Sequence, residues 1–172
     1  MEAITSKIGV QQGGKMKKKK ESAAITAHTQ LIAVHLDKNG KELGRRVIKD
    51  RVVTNAFVKE IVDVLQGASG TFDLYKYHRY GISTVAEGAT QTNVLSGKGP
   101  RRVGTQAQGA SSNIYVSVAT ITATGIHAIT EHGLFNASTG GNLMDRTLFA
   151  VINVNSADKI QFTFSITFSS GG

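Results

Sequence analysis

Near its C-terminus the chain runs Lys159-Ile160-Gln161-Phe162-Thr163-Phe164-Ser165-Ile166-Thr167-Phe168. Ile160, Phe162, Phe164, Ile166 and Phe168 fall on one side, and Lys159, Gln161, Thr163, Ser165 and Thr167 on the other. Strict alternation with period two over this length is the signature of a half-buried antiparallel strand. It sets the fold class as mainly β. The second side carries no charge from Gln161 to Thr167, which reads as an unguarded strand edge of the kind that favours association.

Working upstream, residues 143–154 and 126–135 read as two further strands. Residues 113–124 read as another, with Ile114, Val116 and Val118 alternating against Tyr115, Ser117 and Ala119. At the other end, residues 25–36 form the first strand, with Ile32, Val34 and Leu36 on one face and Ala33 and His35 on the other. Asp37-Lys38-Asn39-Gly40 predicts a type I′ hairpin turn, since Asn-Gly takes positive φ readily, and residues 41–49 return from it. The aromatic-rich residues 72–82 predict a strand. A single helix is predicted, capped by Thr54 or Asn55 and running to about Gln66. Phe57, Ile61, Val64 and Leu65 share its apolar face, and Gly67 ends it. Residues 83–112, rich in Gly, Ser, Thr, Ala and Gln, predict a long loop, which is uncommon inside a compact domain without a functional reason. The expected architecture is an antiparallel β-sandwich or jelly-roll-like domain over residues 23–172. It carries one short α-helix near 55–66, the loop near 83–112, and an extended basic arm over residues 1–22.

Composition narrows the function classes. The 172 residues contain no cysteine, so disulfides and thiolate metal sites are excluded. The 19 glycines and the lone Pro100 fit many turns between short strands. No apolar run approaches the roughly 18 residues of a membrane-spanning helix, so no membrane partner is expected. The N-terminal lysines are not followed by a hydrophobic segment, which argues against a signal peptide and for assembly in a cytoplasm. Net charge is +8, and residues 1–20 hold six lysines against Glu2 alone. Lys15, Lys17, Lys18, Lys19 and Lys20 are therefore the candidate partner-binding residues of the arm. Like charges at this density repel and build no core, so a partner is expected to hold the arm. Phosphates or an acidic protein surface would both suit it. The arm lacks aromatic residues, which argues against base stacking.

Groups that could carry chemistry are few. His28, His35, His78, His127 and His132 are scattered, with no His-x-x-x-His or His-x-His spacing. Glu131 and His132 are sequence neighbours on a strand and face opposite ways. Glu131 and Arg146 stand among apolar residues on adjacent predicted strands, which makes them a structural salt-bridge candidate. Asp158 sits in a turn. Neither a Gly-x-Ser-x-Gly elbow nor a phosphate-binding glycine loop occurs. No enzyme and no cofactor is expected. Lys76, Arg79, Arg101 and Arg102 form smaller basic groups.

Three further strings are distinctive: Gly104-Thr105-Gln106, Ala110-Ser111-Ser112-Asn113-Ile114-Tyr115, and Ala128-Ile129-Thr130-Glu131-His132-Gly133-Leu134-Phe135. They continue into Gly140-Gly141-Asn142-Leu143-Met144-Asp145-Arg146, then Phe149 and the final amphipathic strand. Together they resemble a family of small tailed-bacteriophage virion structural proteins. Tyr77-His78 and Gly81 fit a further family stretch loosely, because Arg79-Tyr80 intervene. The resemblance spans about residues 72–172 and leaves the arm outside. It implies a capsid decoration (cement) protein of a phage head, with the major capsid protein and copies of itself as partners. A tail or neck component, or a nucleic-acid-binding module using the arm, are the alternatives.

Overall fold

A computed structural model describes residues 24–68 and 75–171. The arm lysines lie outside these residues, as do residues 72–74 of the predicted 72–82 strand. The elements are β1 (Ala24–Leu36), β2 (Glu42–Lys49), α1 (Asn55–Leu65), β3 (Tyr77–Gly81), β4 (Arg102–Val103), β5 (Thr105–Gln108), β6 (Ile114–Thr122), β7 (His127–Phe135), β8 (Leu143–Val154) and β9 (Lys159–Gly171). They form two antiparallel sheets, ordered β2-β1-β9-β6-β5 and β4-β3-β7-β8, packed as a sandwich.

β9 is the centre of the larger sheet, paired along its length with β1 and β6. The reading of its uncharged side as an open edge is thus corrected. That side is the outward face of a central strand, and the edges belong to β2 and β5. The inward face explains why. Phe162 is flanked by Ala33 on β1 and Ala119 on β6, and Phe164 by Leu31 and Ser117. Small residues beside the rings let large aromatic side chains fill the inter-sheet space at native density. Consequently β1 buries Thr29, Leu31 and Ala33, and β6 buries Ser117, Ala119 and Ile121. The more apolar sets, Ile32-Val34-Leu36 and Ile114-Val116-Val118, face outward and are half-buried. From the smaller sheet, Ile129, Leu134, Met144, Ile152 and Val154 meet this layer. At roughly 25 cal/mol per Å² of apolar surface, the layer is the main source of the domain's stability.

The turn after β1 is not type I′. Gly40 has φ +91°, but Asn39 does not share a positive φ. The Asp37 carboxylate accepts the Asn39 and Lys41 amides at 2.8 and 2.9 Å. This closes the turn and leaves the left-handed step to Gly40, with a register shift at His35/Leu36.

Helix α1 is capped by Thr54, whose Oγ1 accepts from Phe57 N and donates to the carbonyl of Leu143. Phe57 and Glu60 are buried, whereas Leu65 is 81% exposed, because the helix ends at the rim of the domain. The long loop is shorter than expected. Residues 102–108 form β4 and β5, rim strands that pair along one side only and need no apolar face. The chain crosses from one sheet to the other at Gly104, where an added Cβ would sit 2.5 Å from the Val118 carbonyl.

Candidate functional site

The stretch between β3 and β4 crosses the outer face of the smaller sheet, and one carboxylate organises it. Glu131 is completely buried. Its Oε1 accepts from Ser96 N at 2.8 Å and Ser83 N at 3.3 Å, and its Oε2 from Leu95 N at 3.2 Å. Arg146 Nε donates to Oε2 at 2.7 Å. Arg146 Nη1 donates onward to the carbonyls of Val85 and Ala86 and to Gln91 Oε1. Gly81 and Gly133 make room, since a Cβ on Gly81 would collide with the Glu131 carboxylate. A buried ion pair adds little net stability over apolar residues, but its donors and acceptors define one arrangement of the loop. The two side chains singled out from sequence are therefore in contact. Ser83, Gln91, Leu95 and Ser96, which complete the network, were not foreseen.

His132 points the other way, into the inter-sheet layer, with its ring 4.5 Å from Phe162. There it meets His78 of β3. His78 Nδ1 lies 2.9 Å from His132 Nε2, and His78 Nε2 lies 2.8 Å from Ser117 Oγ. His132 Nδ1 has no partner among the described residues. That fixes the tautomers by elimination. With the proton on His132 Nε2, the orphan is a lone pair. With it on Nδ1, the orphan would be a buried N–H, which native structures avoid more strongly. So His132 donates to His78, and His78 donates to Ser117. Burial lowers both histidines, His78 to about 3, and His78 further lowers His132. All three side chains are sealed from solvent. This row of hydrogen bonds pins one sheet to the other. The scattered sequence positions of the histidines hid this pairing.

Two more nodes complete the interior. Glu60 of α1 accepts from Tyr75 Oη and from Asn136 and Asn142 Nδ2, tying the helix to the β7–β8 loop. Burial first, then Glu60, raises Tyr75 well above an ordinary tyrosine. Asp145 is buried with Oδ1 accepting from Thr147 at 2.5 Å. Burial pushes its carboxyl up to about 7, aided by Glu87 and opposed by Thr147 and Arg51. Beside α1, an apolar cavity of about 600 Å³ lies between Phe57, Ile61, Tyr115, Met144, Ile166 and Phe168. Among the described residues no cluster of three or more His, Asp or Glu could hold a metal ion.

A broad surface feature is the outward face of the larger sheet. One register row runs Val47, Ile32, Thr163, Val118 and Thr105 across all five strands without a charge. The neighbouring rows, Lys49-Gln30-Ser165-Val116-Ala107 and Arg45-Val34-Gln161-Thr120, are charged only at the β2 edge. Arg45 there is already paired with Glu42 at 2.8 Å. Comparison with protein-family models, curated proteins and solved structures finds no match to this chain.

Proposed function

We propose that the chain is a virion structural protein, a decoration protein that lies on a phage head and bridges major capsid subunits. The observation that carries this reading is the outward face of the five-stranded sheet, uncharged from Gln30 to Val34 of β1, from Gln161 to Ser165 of β9 and across the paired residues of β6 and β5, with its charges at the β2 edge and at Lys159. A surface that only has to stay solvated normally mixes both charge signs densely. A five-strand face of Thr, Ser, Gln, Val and Ile sheds little hydration when it docks, so it suits packing against a neighbouring subunit. The sequence resemblance over residues 72–172 points to the same class. The basic arm would add contact area across a subunit joint, where many weak contacts multiply.

Quantitative mass spectrometry of purified particles from the source of the chain tests the proposal. The expected result is a copy number comparable to the major capsid protein, retained in heads separated from tails. A count matching a tail or neck ring would move the protein there, and absence from particles would refute the reading. Thr163→Lys, at the centre of the uncharged face, should lower head occupancy while the isolated domain keeps its thermal stability.

A further inference from the structure

The basic residues that the sequence left as small groups come together on the smaller sheet. β3 and β4 pair Tyr77 with Val103 and His78 with Arg102. Lys98 N donates to Tyr80 O, and Gly104 N to Lys76 O. Lys76, Arg79, Lys98, Arg101 and Arg102 therefore lie on neighbouring backbone at this end of the smaller sheet. None of them makes a salt bridge among the described residues.

Two of the five are held in place. Arg101 lies with its guanidinium carbon 3.4 Å from the centre of the Phe135 ring. Its Nη1 donates to the carbonyls of Ala137, at 2.8 Å, and Gly140. Arg79 lies on the same outer face of β3, opposite Gly133 and next along from the Tyr77–Phe135 pair. It is packed so closely on Gly97 that a Cβ there would fall 2.4 Å from Arg79 Nε. Its Nη2 reaches Gly97 O at 3.4 Å. Arg79 Nη1 and Arg101 Nε and Nη2 have no partner among the described residues and are open to solvent, whereas Arg79 Nε is unpartnered and enclosed. Burial, and then Arg79, lower Arg101 from the ordinary arginine value. The Phe135 ring beneath Arg101 also lies against Gly133, the residue opposite Arg79, which brings the two arginines to one patch. Glu131, also on the outer face of this sheet, is saturated by its four donors. Glu87 accepts from Leu148 N and faces Arg51.

We infer that Arg79 and Arg101 form a binding site for a carboxylate group presented by an acidic segment of a partner protein. A planar guanidinium fork matches a carboxylate bidentately, and a fork already fixed by stacking loses little entropy on binding. The surroundings favour a protein over nucleic acid. Ile82, Leu95 and Val103 are exposed apolar neighbours, at 37%, 48% and 65%. Arginine beside apolar residues is the composition of a protein interface core. On this face the Phe135 ring is fully buried beneath Arg101, so it offers no open ring for base stacking. The inference goes beyond the virion reading and does not depend on it.

The test is fluorescence anisotropy with a labelled oligoglutamate peptide and the full chain at low salt. Lys17–Lys20→Gln is introduced throughout, to remove the arm's own attraction for the probe. Arg79→Gln/Arg101→Gln should weaken binding about tenfold or more. Lys38→Gln/Lys41→Gln, on the remote hairpin, should change it less than about twofold, as expected for exposed charges. Arg101→Lys keeps the charge and loses the fork, and should lose most of the affinity. Circular dichroism melts check that each variant folds. Equal binding by wild type and the double arginine variant, or by Arg101→Lys, overturns the site. Tighter, arginine-dependent binding of duplex DNA overturns its assignment to a protein carboxylate.

Discussion

Replacing Glu131 with Gln keeps the side chain's shape and removes its charge. The carboxylate accepts two donors on each oxygen, three of them backbone amides and one Arg146 Nε. A glutamine offers one accepting oxygen and one NH2 group, so in either orientation two donors face a donor. Arg146, at 1% exposure, is left as an uncompensated buried cation. Breaking a buried pair in this way costs about 3–5 kcal/mol, and each buried donor left unpaired about 1–3 kcal/mol more. These contributions overlap, so the expected loss is about 4–6 kcal/mol. That is most of the stability of a domain holding about 5–15 kcal/mol. Urea unfolding followed by circular dichroism measures it. Arg146→Met should cost a similar amount, and Glu131→Gln/Arg146→Met less than the two together, with a coupling of about 2 kcal/mol or more. Amide exchange at Ser83, Leu95 and Ser96 should quicken selectively in Glu131→Gln. A loss below about 1 kcal/mol, well under the range for a buried pair, or strict additivity, would refute the idea that this carboxylate organises the loop.

Acid should destabilise the fold through the histidine pair. An unfolded histidine titrates near 6.5 and His78 in the fold at about 3. Between those values the unfolded state binds more protons, so stability is full above about pH 6.5 and falls as pH drops. The slope is about 1.4 kcal/mol per pH unit for each histidine. Asp145 acts oppositely, because its folded value of about 7 exceeds the unfolded one, so the folded state gains protons between about 4 and 7. Asp145→Asn should therefore steepen the acid loss, read from urea midpoints between pH 7 and pH 5. Gly104→Ala, against the Val118 carbonyl and His78, should cost about 1–3 kcal/mol by overcrowding. Gly44→Ala, with nothing within 4 Å, should be near neutral in the same thermal melt. Thr54→Ala should cost about 1–2 kcal/mol through the lost helix cap, measured by the same denaturation.

The strand pattern of Ile160 to Phe168 and the helix from Asn55 could be read directly, because period two and the spacing of Phe57 and Ile61 are local properties. Which face of β1 and β6 turns inward could not, because it depends on Ala33 and Ala119 meeting Phe162 from distant parts of the chain. β4 and β5 were missed for a related reason: rim strands of two and four residues carry no alternation to detect. Glu131 and Arg146 stood out as charges in apolar runs. Their backbone partners at Ser83, Leu95 and Ser96 carry no signature, since any residue supplies an N–H. His78 and His132 lie 54 residues apart, and only the sheet register brings them together.

The placing of β1 has a mechanical consequence. Its first residue, Ala24, pairs with Gly171 at one end of the sheet, and the strand is bonded to β9 along thirteen residue pairs and to β2 along seven. A pull on Ala24 along the strand, resisted at the far end of the sheet, loads those rungs together in shear. A pull between Ala24 and Gly171 opens them one after another, like a zipper. A tether leaving the domain at Ala24 would therefore hold firmly against a load along the strand and give way readily to a load that parts these two ends.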